Sequence, residues 1–274
     1  PALTAAAIVS VQIESKGRAV LGIGRGDSAV SKFGLKASTA AEFEQYLVEL
    51  QGYLRGEKVH RDGKDSALEW LQAMNLPKVP VDVAATGPKV IAAGARQAER
   101  ITFNLGGDAE RIAEGIKLAR QVRKDAGLPA EGLSFGAYLP VAPHPDIKAA
   151  RELVKWVTGI YARFQAMPGH PTDSLRPEDA GTIKAAAAEY EKRLKTNSGH
   201  PGGYVAELMN DEFVDRFAAV GTAEQVVEKL GKLRKLGLDR LVMVGPNKMA
   251  APEHHAESRR LLAEVVIPEL KRLG

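Results

Sequence analysis

Five short apolar runs alternate with longer segments of helical period, and this alternation restricts what the chain can fold into more than any other feature. The runs are residues 18–24 (RAVLGIG), 79–85 (VPVDVAA), 100–105 (RITFNL), 133–141 (LSFGAYLPV) and 238–244 (LDRLVMV). Near-continuous apolar runs of this length read as strands covered on both faces. Helices between them carry the chain back to the same end of the sheet, so neighbouring strands run parallel. Two architectures satisfy the pattern: a small open α/β sheet, or a (β/α)8 TIM barrel. A closed barrel of this kind takes about eight strands. The sequence offers five runs, and it opens on a helix with no strand ahead of it. The reading adopted is one barrel domain over residues 1–274, incomplete at its N-terminus, with about five of eight strands present.

The helices carry local signals. Residues 4–15 place Ile8, Val9 and Ile13 on one side, and Gly17 closes that segment. Thr39 with Glu42 three positions on is a capping box for a helix over residues 39–54, whose inner stripe is Phe43, Tyr46, Leu47, Leu50 and Leu54. Pro88 opens a helix in the first turn, where its missing N–H is harmless. Asp108 caps another, reaching about residue 126. Residues 146–167 and 177–194 read as a long helical tract, an insertion around 146–203 that ends in a Gly/His/Pro loop over 197–203. Helices follow over 224–236 and from about 253 to 273. Residues 58–78 show no clean period and read as an irregular insert.

Composition removes several classes of function. There is no cysteine, which excludes disulfides, thiolate nucleophiles and Cys-ligated zinc. No run of about 18 apolar residues is present to span a bilayer, and the first fifteen residues lack the basic start and apolar core of a signal peptide. The expectation is a soluble cytoplasmic protein without a membrane role. The net charge of +4 is spread along the chain, and aromatics are only 5%, with no interleaving of rings and arginines of the kind that stacks bases. No nucleic-acid partner is expected, whereas an anionic small molecule suits the charge. The six histidines, His60, His144, His170, His200, His254 and His255, form no ligand pair of metal-binding spacing. No metal site is expected, and no GxSxG elbow is present.

The chemistry-bearing residues sit where runs end. Residues 20–27 (VLGIGRGD) place glycines after the first run, where the missing Cβ lets backbone approach a ligand. Gly24, Arg25 and Gly26 form this turn, which a tight βα connection also explains. Asp27 follows it and can exchange a proton or bind a hydroxyl; as a solvated turn or capping residue it does neither. Arg25 can pair with an anion or with Asp27 itself. At residues 85–89 (ATGPK), Thr86 offers a hydroxyl, Gly87 an N–H, Pro88 a helix start with its dipole, and Lys89 a positive charge. That set cradles a phosphate, and ordinary capping is the plainer account. Residues 104–107 (NLGG) end the third run with Gly106 and Gly107. In a parallel barrel all such ends face one mouth.

These residues resemble the luciferase-like superfamily, in particular its F420-dependent branch with the methylenetetrahydromethanopterin reductase-like proteins. GRAVLGIGRGD is similar to the end of that family's fourth strand, ATGPK with RITFNLG to its fifth-to-sixth segment, and residues 213–246 to its C-terminal βα unit. The resemblance implies a (β/α)8 barrel with the cofactor at the strand C-termini. It implies cofactor contacts at Thr86, Gly87, Pro88 and Lys89, with Gly106 and Gly107 nearby. Related dehydrogenases carry a Glu after the Gly-rich turn as a proton donor or acceptor, and Asp27 stands in that place here. The expected activity is hydride transfer between F420 and an organic small molecule. The alternatives are an FMN-dependent monooxygenase on the same barrel and a non-catalytic barrel fragment. Homo-oligomers are common in the family.

Overall fold

A computed structural model describes residues 1–26, 30, 33–166, 175–196 and 201–273. Asp27, His170 and His200 lie outside the described residues, as does part of the loop expected over 197–203. Contacts divide the chain into two compact units: residues 1–101 with 118–134, and residues 102–117 with 135–274.

The first unit begins with α1 (Ala2–Glu14) and a short strand β1 (Leu21–Ile23). Lys16 and Gly17 turn the chain at φ 53° and 86°, a left-handed exit for which glycine at position 17 is suited. Helix α2 (Ala40–Leu54) starts on the expected capping box: Glu42 N donates to Thr39 Oγ1 at 3.2 Å and Thr39 N to Glu42 Oε2 at 2.7 Å. Phe43, Leu47, Leu50 and Leu54 are buried along its inner face. Strand β4 (Val81–Ala85) runs parallel to β1, with Leu21, Gly22 and Ile23 opposite Val81, Asp82 and Val83. Helix α3 (Pro88–Gln97) returns the chain to β5 (Arg100–Phe103). Gly94 lets α3 sit close to the strands, since a Cβ there would stand 3.1 Å from Ile101 and 3.2 Å from Val83.

Buried polar groups stitch this unit together. Gln12, 2% exposed, donates to Pro77 O at 2.7 Å and accepts from Ala19 N at 2.8 Å. Glu99 accepts from Lys78 Nζ at 2.8 Å and from Val81 N at 2.9 Å, fixing the start of β4. Burial pushes the Glu99 carboxyl up, but Lys78, the Val81 N–H and Gln51 outweigh it and hold it below the usual carboxylate range.

Arg96 of α3 forms a bidentate pair with Glu44 of α2, at 2.6 and 2.7 Å. The Arg96 hydrogen bonds hold the Glu44 carboxyl below its ordinary value. A lowered folded-state value contributes stability above the unfolded carboxylate value, about 4.3, and loses it as pH falls through the folded one. Both partners are partly exposed, so Arg96→Met should cost no more than about 1 kcal/mol at pH 7. Urea denaturation at pH 7 and pH 3 checks this, with the difference between variant and parent shrinking at the lower pH.

Residues 58–78 are more ordered than their period suggests. They hold a hairpin, β2 (Val59–Arg61) against β3 (Lys64–Ser66), and a 3-10 turn at Glu69–Ala73. The hairpin turns through Asp62 and Gly63 at φ 51° and 75°. Asp-Gly is a two-residue turn signal for that geometry.

The second unit holds strand β6 (Ser134–Pro143) from residue 135 on, which pairs in parallel with both β7 (Ala219–Gly221) and β8 (Arg240–Val244). Strand β7 joins the five runs singled out in the sequence. Its three residues, Ala-Val-Gly, are too short and too small to stand out as an apolar run. Helix α4 (Ala109–Asp125) contributes residues to both units. Beyond β6 come α5 (Ile147–Arg163), α6 (Pro177–Thr196), α7 (Pro201–Ala206) and α8 (Asp211–Phe217). Residues 201–203 are therefore helical where the sequence suggested a loop. Leu153, Val154, Val157, Ile183, Val205 and Phe213 form the apolar centre of this helical region. Arg163, 4% exposed, lies between the rings of Phe164 and Tyr190, with its guanidinium carbon 4.2 and 3.6 Å from their centroids. Helix α9 (Ala223–Arg234) has a second capping box, Thr222 with Gln225. The chain ends in α10 (Pro252–Leu261), a π-helical turn at Leu262–Val266 and α11 (Ile267–Arg272).

Candidate functional site

In the first unit two of the expected loops leave adjacent parallel strands at the same edge. Ile23 of β1 pairs with Val83 of β4, so residues 24–26 and 86–89 both follow the strands' C-terminal ends. A Cβ at Gly24 would lie 3.8 Å from the Ala84 Cβ, which places the two exits side by side. Gly26 adopts φ +86°, a conformation glycine takes without cost.

Five of the helices close their N-termini with side chains: Thr39 for α2, Asp108 for α4, Asp146 for α5, Asn210 for α8 and Thr222 for α9. Helix α3 does not. Its N-cap is Gly87, at φ −93° and ψ 157°, followed by Pro88 at the first position. The Lys89 N–H, in the first turn, has no intrahelical acceptor by position. Thr86 is half-buried beside this start, Gly87 is buried, and Pro88 and Lys89 are exposed. Among the described residues neither Arg25 nor Lys89 has an ion-pair partner. An uncapped helix start, a hydroxyl and two such cations at one strand edge form an arrangement able to hold an anionic group.

Gly106 and Gly107 belong to the second unit, in the turn between β5 and α4, and there the packing itself accounts for their size. Gly106 has φ +67°, and a Cβ on it would lie 2.6 Å from the Phe217 ring. Gly107 N donates to Phe217 O at 2.6 Å. Asp108 caps α4 as expected, accepting from Glu110 N and Arg111 N at 3.1 and 3.3 Å, and also takes Arg176 Nη2 at 3.0 Å. In the same turn Asn104 Oδ1 is buried and accepts no hydrogen bond among the described residues, an unmet acceptor of the kind a ligand donor satisfies.

Sequence reasoning did not single out Lys229. From α9 its ammonium donates to three backbone carbonyls, Asp215 O at 2.6 Å, Arg216 O at 3.0 Å and Ala218 O at 2.6 Å. Burial pulls it down to about 8, against Asp215 and Asp108, which hold it up. No residue pattern announces this, because the acceptors are backbone atoms. Among the histidines, His144 is 7% exposed. Its Nδ1 accepts from Asp146 N at 3.0 Å, and His254 meets it edge-on with ring centroids 4.8 Å apart. Among the described residues no group of three or more His, Asp or Glu is placed to hold a metal ion, and no helix is long and apolar enough to cross a membrane.

Parallel strands with helical returns, and loops gathered at their C-terminal ends, define an α/β fold. The chain belongs to the luciferase-like monooxygenase family, whose sequence model matches residues 1–240. It is 29% identical over 280 residues to 5,10-methylenetetrahydromethanopterin reductase of Archaeoglobus fulgidus, covering 99% of this chain and 79% of that protein. Among solved structures, the coenzyme F420-dependent tetrahydromethanopterin reductase of Methanopyrus kandleri superposes with a TM-score of 0.70 at 20% identity, over 98% of this chain and 79% of that one. An F420-dependent secondary alcohol dehydrogenase bound to an F420–acetone adduct gives 0.71 at 13% identity, over 98% and 75%. At those identities the two structures speak for the fold.

Proposed function

We infer that the chain is an F420-dependent oxidoreductase, moving a hydride between the deazaflavin and an organic small molecule. The observation that carries this is the uncapped start of α3 beside Lys89 and Arg25, neither of them ion-paired among the described residues, at the shared edge of β1 and β4. F420 has an anionic phosphate, and the two solved structures named above are those of an F420-dependent reductase and an F420-dependent dehydrogenase. When bound, the deazaflavin supplies hydride transfer. The chain's part is to bind and orient it: the first-turn N–H of α3, the Thr86 hydroxyl and the Lys89 ammonium hold the phosphate, while the small surfaces of Gly24 and Gly26 let the ligand lie against backbone. Arg25 adds positive charge at the same edge. The turn at Gly106 and Gly107 is assigned as a ligand-contacting turn in its own right, with Asn104 Oδ1 as its free acceptor. Asp27 is assigned the proton-handling role.

A second reading, an FMN-dependent monooxygenase, draws on the family's own description, and FMN likewise carries a phosphate. Fluorescence titration of the purified protein with F420 and with FMN separates them. Tight F420 binding with weak FMN binding supports the first reading. The reverse preference, with oxygen consumption on reduction, establishes the second. Failure of both ligands to bind overturns the assignment of residues 86–89.

A further inference from the structure

Helix α8 ends with carbonyls that have no donor within the helix, those of Asp215, Arg216 and Phe217. All are met from outside it. Lys229 Nζ donates to Asp215 O and Arg216 O, and also to Ala218 O just beyond. Gly107 N takes the remaining carbonyl, Phe217 O. A lysine from α9 and a backbone amide from the β5–α4 turn therefore share the closure of one helix end. The two closers are close neighbours: a Cβ at Gly107 would lie 3.2 Å from Lys229 Cε and 3.3 Å from Phe217 O. Phe217 stacks on Phe213, with centroids 5.3 Å apart, and its ring fills the space over Gly106.

We propose that Lys229 is a positioning residue, which fixes the turn at residues 104–108 by clamping the end of α8 on which Gly106 and Gly107 rest. It rests on the assignment of that turn as ligand-contacting. Three carbonyls need three donors. An ammonium has three N–H bonds and a neutral amine two, so loss of the proton leaves one buried carbonyl unmet and loosens the clamp. The charged groups facing Lys229 are Asp215 from α8 and Asp108 from the turn, and Arg176 is already bound to Asp108. The clamp therefore weakens as pH rises through about 8.

The first readout needs no ligand. Hydrogen exchange at the Gly107 amide, followed by NMR and corrected for its intrinsic rate, should lose protection above about pH 8 in the parent protein. Lys229→Arg, which keeps its charge, should give a flat profile. Lys229→Met should exchange at Gly107 about tenfold faster or more at pH 7, with the β6 amides unchanged. Flat protection in the parent, or parental protection in Lys229→Met, overturns the proposal. The second readout is the F420 dissociation constant, expected to rise about tenfold in Lys229→Met and to be restored by Lys229→Arg. An altered Gly107 exchange with unaltered affinity also overturns the positioning role, while leaving the cofactor reading intact. If no variant binds F420, the cofactor reading fails, and exchange alone decides whether Lys229 holds the turn.

Discussion

Replacing Lys89 by alanine is expected to weaken F420 binding by about 10- to 100-fold at low salt. A hydrogen bond to a charged group contributes on the order of 1.5–3 kcal/mol, and each 1.4 kcal/mol is about tenfold in Kd. The ammonium is exposed and has no partner among the described residues, so its removal leaves no orphaned group in the free protein. Folding stability should then change by less than about 0.5 kcal/mol. Raising the ionic strength to about 1 M shortens the screening length to roughly 3 Å and should narrow the gap between variant and parent. Unchanged affinity at low salt removes Lys89 from the site. A loss of affinity with an equal loss of stability assigns it a folding role instead.

Gly106→Ala is expected to cost about 2–5 kcal/mol of stability. Two costs combine. A non-glycine residue in the left-handed region loses roughly 1–2 kcal/mol, and Gly106 sits at φ +67°. The new Cβ would also stand 2.6 Å from the ring of Phe217, itself 4% exposed, and overpacking of that kind costs about 1–3 kcal/mol. Gly127 isolates the first cost, having φ +66° and nothing within 4 Å of the methyl that an alanine would add. Urea denaturation of Gly106→Ala and Gly127→Ala should differ by the clash alone. Phe217→Ala should cost about 3–5 kcal/mol by itself, and the double variant with Gly106→Ala should fall short of the sum by about 1 kcal/mol or more. Strict additivity would show that the ring is not what keeps position 106 bare.

The parts of the fold legible in the sequence were those built from local rules. The capping box at Thr39 and Glu42 names its own partners, and Pro88 and Asp108 mark their helix starts because the relevant atoms lie within one turn. The parallel strands showed as apolar runs, which burial on both faces explains for β5 and β6; β4 alternates buried with half-buried residues, and β1 and β8 hold no fully buried residue. Strand β7 did not, since three small residues carry little pattern. The hairpin at residues 59–66 was legible in principle through Asp62-Gly63, but apart from the buried Val59 its strand residues are polar and exposed, so hydrophobic period passes over it. At the site, sequence order located the loops after β1, β4 and β5, while the missing cap on α3 is visible only against helices that possess one. The clamp at Lys229 lay beyond any motif, because its acceptors are main-chain oxygens that become available only once α8 ends where it does.

The glycine cap of α3 bears on how this protein could be engineered. A search for thermostabilising substitutions would flag position 87 early, because Gly87→Ser supplies a capping hydroxyl of the kind that Thr39 and Thr222 give α2 and α9, and promises a few tenths of a kcal/mol. That hydroxyl would occupy the same first-turn N–H groups that the proposed function gives to a cofactor phosphate. The helix start is left uncapped at a small standing cost in robustness, and a consensus or design procedure blind to ligands would close it. Stability screens on this scaffold should therefore leave residues 86–89 out of the library, and any hardened variant should be judged by cofactor retention before melting temperature.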